Sequence, residues 1–323
     1  MKRHGEGKRG DRETKPISPS PPLPFSPSPP VVVTGSRGQL GAELCRQFGP
    51  EAVGLDLPEF DLGDADRVRA ALEAIRPRAV VNTAAFTLVD RAESEADRCR
   101  LVNVDGVARL VEACRSLDSA LVQISTDYVF GGDAGRRTAY RETDQPDPQG
   151  VYARSKLESE RAAAQWHKHL IVRTCGLYGR PAERSAGNFV EAILRRAAAG
   201  KPLRVVDDQR CSPSYTPHVA RAIRFLVGID ARGIYHVTNA GDATWHEMAL
   251  EILRRAGLSV PVEPITSAQW GAAAPRPAYS VLDCSKYHAL ADAPRMPAWP
   301  DALAEYLRDR CEVNPLNKDS RPL

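Results

Sequence analysis

No stretch of this sequence is apolar over anything near the roughly 20 residues a membrane-spanning helix needs, so no membrane partner is expected. Cysteine is thinly spread: Cys45, Cys99, Cys114, Cys175, Cys211, Cys284 and Cys311 are odd in number and form no Cys-x-x-Cys pair. That pattern argues against a disulfide framework and a zinc site, and predicts reduced thiols. Aromatic residues make up only 6% of the chain, and the four tryptophans lie far apart. They read as packing residues and offer no stacking platform for single-stranded nucleic acid. An excess of one charge is also missing. The net charge is +3, and residues 1–30, with six basic and three acidic side chains, account for all of it; the remainder balances at 38 of each sign. A neutral body gives no electrostatic case for nucleic acid. The basic start lacks the apolar stretch of a secretory signal. A cytoplasmic protein is expected.

What is present changes in texture along the chain. Residues 16–30, PISPSPPLPFSPSPP, are rich in proline and serine and cannot pack a core. They read as an extended linker closing a disordered tail over residues 1–30. From Val31 onward, short β-branched runs at 31–34, 52–55, 79–82, 121–125 and 170–174 alternate with helical stretches at 39–48, 66–75, 98–116 and 152–166. Strands alternating with helices predict βαβ units, and near-continuous apolar runs predict strands covered on both faces. The fold class expected is α/β, a doubly wound parallel Rossmann sheet with a smaller C-terminal substrate domain. After about residue 175 proline and glycine become denser, with helices expected at 188–198, 217–227 and 245–256, the last opened by the capping box Thr244-x-x-Glu247. The division expected is a dinucleotide-type sheet domain over 31–175, a mainly substrate-binding part over 176–311 and a frayed end over 312–323.

Directly after the first strand comes Thr34-Gly35-Ser36-Arg37-Gly38-Gln39-Leu40-Gly41, and directly after that a helical pattern. In this setting Gly35 permits the tight turn, Gly38 lets backbone approach a pyrophosphate, and Gly41 allows close helix–strand packing. The helix N-terminus then offers N–H groups to phosphate. A dinucleotide site is predicted, with Gly35, Arg37, Gly38, Gln39 and Leu40 in it. Asp56, at the end of the second strand, stands where a carboxylate bonds the adenine ribose and favours NAD. Arg37 is placed to neutralise the 2′-phosphate of NADP. The two signals conflict, and the cofactor expected is NADPH or NADH.

The catalytic candidates follow. The strand ending at Ser125 runs into Thr126-Asp127-Tyr128, and Tyr152-Ala-Arg-Ser-Lys156 opens the next long helix. A spacing of four puts Tyr152 and Lys156 on one helical face. A neighbouring ammonium favours the phenolate, so Lys156 is expected to lower the Tyr152 pKa. Tyr152 can then give a proton to a carbonyl oxygen as hydride arrives, Lys156 can hold the nicotinamide ribose, and the Thr126 hydroxyl can steady the same oxygen. Downstream of a glycine fingerprint, this set predicts an NAD(P)-dependent oxidoreductase and resembles that of the extended short-chain dehydrogenases.

Residues 31–311 resemble the dTDP-4-dehydrorhamnose reductase family. The matching segments, in order, are Gly38-Gln39-Leu40-Gly41, Asn82-Thr83-Ala84-Ala85-Phe86-Thr87-Leu88-Val89-Asp90, Ala92-Glu93, Ser125-Thr126-Asp127-Tyr128-Val129-Phe130, Tyr152-x-x-x-Lys156, Arg173-Thr174, Asp208-Gln209, Tyr235-His236 and Thr244-Trp245-His246. The resemblance implies reduction of the C4 ketone of a nucleotide-linked 4-keto-6-deoxyhexose. It also implies that Asp61 and Leu62 contact the adenine, that Ala84, Ala85 and Thr87 line ribose and substrate, that Thr126, Asp127, Tyr128 and Tyr152 face the sugar, and that Asn103 supports the helix beside Lys156. Two residues depart from the family pattern. Gly176 replaces a tryptophan expected against the sugar, which predicts an enlarged pocket, and Gly150 replaces an asparagine. Glu43 matches a position that some members use in a metal-linked dimer. A homodimer is compatible with that match, but no dependable partner glutamates stand near it in sequence and no metal is assigned. The resemblance extends to a regulatory subunit of methionine adenosyltransferase, which makes a cofactor-binding partner protein the alternative to an enzyme. Another sugar nucleotide is the alternative within enzymes.

Overall fold

The computed structural model describes residues 28–180 and 187–313, with the side chains of 311–313 outside the description. The tail expected over 1–30 lies outside the described residues except for 28–30, as does the expected end from 314 onward. Residues 312 and 313 complete the last helix. No helix among the described residues is long and apolar enough to cross a membrane.

Six strands form one sheet: β1 (Val31–Thr34), β2 (Ala52–Leu55), β3 (Ala79–Asn82), β4 (Ala120–Thr126), β5 (His169–Thr174) and β6 (Gly233–His236). All pairings are parallel, in the order β6-β5-β4-β3-β1-β2. The helices are α1 (Gln39–Phe48), α2 (Ala65–Ile75), α3 (Gly106–Leu117), α4 (Gly150–Ala163), α5 (Phe189–Ala198), α6 (Thr216–Gly228), α7 (Trp245–Ala256) and α8 (Trp299–Val313). The inner strands β1 and β3 read as near-continuous apolar runs because both faces are covered, whereas the edge strand β2 is only partly buried. Val31, Val33, Val81 and Val122 pack with α1 and α6 on one face. Val32, Val80, Leu121 and Ile171 pack with α2, α3 and α4 on the other. A third core joins α5, α7 and α8 through Val190, Ile193, Met248, Ile252, Leu303 and Tyr306. Two elements that follow residue 175 return to the sheet: β6 pairs with β5, and α6 lies along α1.

The helix expected over 98–116 is interrupted. A short helix, Ala96–Arg100, passes through a π turn over Leu101–Asp105 before α3 begins. The widened turn carries Asn103 inward, where it is 1% exposed. The strand order reverses between β1 and β3, and such a reversal opens a crevice at the carboxyl ends of the strands. The residues singled out from sequence at Gly35, Asp56, Ala84 and Thr126 all follow or close strands at that edge.

Candidate active site

The glycine turn is pressed against its neighbours. Gly35 has φ +68°, and a Cβ there would lie 2.7 Å from the amide nitrogen of Ala84; a Cβ on Gly41 would lie 2.1 Å from the Gly35 carbonyl oxygen. Only glycine fits at either place. Gly38 caps α1 without any side-chain hydrogen bond, so the first-turn N–H groups have no capping side chain and remain suited to a phosphate. The Asp56 carboxylate accepts from the backbone N–H of Arg37 and of Leu57, both at 2.7 Å. The Arg37 guanidinium donates to the Leu57 carbonyl at 2.8 Å and lies 3.7 Å from Glu59. The two residues whose signals conflict in sequence are thus side by side at one end of the turn. Asp61 accepts from the N–H of Gly63, and Leu62 is buried beneath Gly106. Gln39 turns the other way and accepts from Asn188 Nδ2 at 3.0 Å, linking α1 to the start of α5.

Next to this turn is a cavity of about 270 Å³. Leu40, Ala85, Thr87, Thr126, Asp127, Tyr128, Tyr152 and Lys156, all expected at the site, line it together. Lys156 is 4% exposed and its Nζ donates to the Ile124 carbonyl at 2.7 Å. Burial brings its pKa down to about 8. The expected lowering of the Tyr152 pKa is not found. Burial raises it, Asp127 raises it further, and a hydrogen bond with Thr126 acts in the opposite direction. Lys156 exerts no resolved pull on the phenol, its ammonium being turned to Ile124. A phenol kept protonated suits a proton donor. Tyr128 stands edge-on to Tyr152, ring centroids 6.1 Å apart. Arg276, held by two 2.7 Å bonds to Asp90, acts electrostatically on the Tyr128 hydroxyl.

Several groups hold α4 in place. Asn103 accepts from the N–H of Phe86 at 2.7 Å and donates to Ser155 at 2.9 Å, tying the loop after β3 to α4. Arg173 of β5 makes a bidentate pair with Glu160 of α4 at 2.9 and 2.7 Å, and Ser125 of β4 donates to the same carboxylate. Both partners of that pair are buried. His236 lies beside Arg173 and is held near pKa 3 by burial and by that cation, hence neutral.

The family model for the RmlD substrate binding domain matches residues 30–311. The chain belongs to that family. It is 39% identical over 285 residues to the spore coat polysaccharide biosynthesis protein SpsK of Bacillus subtilis, covering 87% of this chain and 97% of that one. It is 38% identical over 291 residues to a dTDP-4-dehydrorhamnose reductase of Streptomyces griseus, covering 87% and 93% respectively. A crystal structure of dTDP-4-dehydrorhamnose reductase from Bacillus anthracis in complex with NADP superposes with a TM-score of 0.82 at 34% identity, over 87% of this chain and 99% of that one.

Gly176, at the place where the family pattern has a tryptophan, lines the cavity beside Trp245. A Cβ at Gly176 would lie 3.2 Å from Pro213 Cα and 3.6 Å from the Trp245 ring. Trp245 itself lines the cavity and packs on Phe189 with ring centroids 4.8 Å apart. Its reading as a packing residue is therefore corrected: one face packs and another borders the cavity. Sequence reasoning also missed Thr83, Thr174, Cys175 and Leu177, which line the cavity too. Thr174 was legible only as part of a matching segment, yet its buried hydroxyl has no partner among the described residues, as expected of a group that meets ligand or water. Glu43, the residue matched to a metal-linked dimer, is taken up by Arg46 and Gln47 of its own helix. Among the described residues no three His, Cys, Asp or Glu side chains converge as a metal site.

Proposed function

We propose that this protein is an NAD(P)H-dependent oxidoreductase that reduces the C4 ketone of a nucleotide-linked 4-keto-6-deoxyhexose, dTDP-4-dehydro-L-rhamnose to dTDP-L-rhamnose. The observation that carries this reading is the convergence of Thr126, Tyr152 and Lys156 on one cavity beside the glycine turn. The dTDP-4-dehydrorhamnose reductases of Streptomyces griseus and Bacillus anthracis support the choice of substrate, and the NADP held by the latter supports the cofactor. The six free cysteines among the described residues fit a reducing, cytoplasmic setting.

The turn from Gly35 to Gly41, with the uncapped start of α1, would hold the pyrophosphate. Arg37 and Asp56 would meet the adenine ribose, with or without its 2′-phosphate, and Asp61 and Leu62 would border the adenine. Bound NAD(P)H supplies the hydride. Lys156, its ammonium already fixed by Ile124 on one side, would bond the nicotinamide ribose with its remaining protons. Tyr152 gives its hydroxyl proton to the ketone oxygen as the alcohol forms, and the Thr126 hydroxyl steadies the same oxygen. Ala84, Ala85, Thr87, Asp127 and Tyr128 shape the walls around ribose and sugar. The rigid setting of α4 keeps the proton donor and Lys156 in register, which is the protein's main task when the cofactor carries the hydride.

Steady-state kinetics with a panel of nucleotide-linked keto sugars tests this. Tyr152→Phe should lower turnover by about 10²- to 10⁴-fold, the weight of a general acid, while cofactor binding survives. Full activity in that variant overturns the assignment of Tyr152. Failure of the parent to turn over any member of the panel overturns the proposed reaction.

A further inference from the structure

Three buried side-chain atoms have no hydrogen-bond partner among the described residues: Thr174 Oγ1, Tyr178 Oη and His246 Nε2. Of these residues only Thr174 lines the cavity. It closes β5 and is 4% exposed. Leu40 of α1 and Leu177 line the same cavity and offer it no polar side chain. Valine has the same branched shape, suits a strand equally well and would bring no polar group. A buried hydroxyl without a partner is a cost to the free fold.

Its place in the sheet says what the hydroxyl can meet. Parallel pairing sets Thr174 directly beside Thr126, the last residue of β4. Neighbouring strands lie about 4.8 Å apart, and register partners project to the same face. Thr126 Oγ1 already has two partners in the protein, Asp127 Oδ1 at 3.0 Å and the N–H of Tyr128 at 3.2 Å. Thr174 Oγ1 keeps one proton and two lone pairs to offer. Hydride transfer needs the giving and receiving carbons about 3–3.5 Å apart. A side chain one strand from Thr126 is then in reach of both reactants, at the nicotinamide carboxamide and at the sugar hydroxyl next to the carbonyl. Either group is uncharged and can be satisfied by a single hydroxyl, whereas phosphate calls for the several N–H groups of the glycine turn.

We propose that Thr174 is a ligand-binding residue, its hydroxyl held for an uncharged amide or hydroxyl group at the hydride-transfer end of the bound cofactor and sugar. The role rests on the cofactor and substrate reading given above. It sets stability against binding: the hydroxyl weakens the free protein and finds its partner only in the complex.

Thr174→Val keeps the branched shape and removes only the hydroxyl, while Thr174→Ser keeps the hydroxyl. The free valine variant should unfold at a denaturant midpoint equal to or above that of the parent, since no hydrogen bond of the fold is lost. Its affinity for one reactant should fall about three- to tenfold, the weight of one neutral hydrogen bond, and serine should restore it. Fluorescence titration reads NADPH, and steady-state kinetics read the Michaelis constant of the keto sugar. A loss for NADPH that vanishes with 2′-phospho-ADP-ribose, which lacks the nicotinamide and is read by displacement, assigns the hydroxyl to the carboxamide. A loss confined to the Michaelis constant assigns it to the sugar. Both affinities unchanged in the valine variant overturns the proposal. So does a lowered midpoint with equal losses for NADPH and 2′-phospho-ADP-ribose, the mark of a structural role. The unfolding and NADPH measurements need no turnover. A nicotinamide-dependent loss in a protein that reduces no sugar of the panel would leave the role of Thr174 standing and remove the proposed reaction instead.

Discussion

Below about pH 8 Lys156 is an ammonium ion and above it a neutral amine, because burial disfavours the charge. Only the ammonium offers three protons, one of which is committed to Ile124. Cofactor affinity of the free protein should therefore fall as pH rises through that value. In Lys156→Met the affinity should be weaker throughout and flat across the same range, as read by fluorescence titration of NADPH. Gly176 gives a second residue-scale expectation. Its φ of +51° and the 3.2 Å approach to Pro213 mean that Gly176→Trp strains the backbone by about 1–3 kcal/mol. Denaturant unfolding should report that loss, and the Michaelis constant for the rhamnose precursor should not improve. That Thr126, Tyr152 and Lys156 would come together was legible because the pattern is local: a spacing of four on a helix and a threonine at a strand end suffice to single out three side chains that line one cavity. Trp245 and Cys175 were not legible, because their nearness to Thr126 and Gly176 is made by folding across distant segments.

At the scale of elements, the strands and most helices were written in the pattern of apolar residues. The boundaries of β1 and β3 follow from it directly, since strands covered on both faces show no polar alternation, and β2, only partly buried at the sheet edge, was legible from its short apolar run. The π turn at Leu101–Asp105 escaped this reading, because one residue inserted in a helix shifts the apolar stripe without breaking it. The position of α4 was not legible either, since it depends on a buried ion pair between residues of two elements. Arg173→Met should cost about 3–5 kcal/mol of stability, leaving Glu160 buried with only Ser125 as partner. Chemical denaturation measures it. A loss below 1 kcal/mol would mean that packing around α4, and not this pair, fixes the helix.

For the molecule as a whole, sequence texture suggested two parts in succession, and the βαβ pattern does account for the sheet up to β5. The return of the chain to that sheet was not visible, because β6 and α6 differ from their surroundings only in the company they keep. Val219, Ala222, Ile223 and Leu226 of α6 are wholly buried against the α1 face. A fragment spanning residues 31–175 would expose that face and leave β5 as an open edge. It should show no cooperative thermal transition by circular dichroism, whereas the full chain should melt as one unit. The same interleaving governs how specificity can be exchanged between relatives. A single crossover after residue 175 would carry over Trp245 and the other cavity-lining residues beyond it, but it would also import a foreign sheet strand and a foreign partner for α1. A graft that spares 216–236 and replaces the segments on either side transfers the wall and leaves the recipient's own scaffold joints untouched.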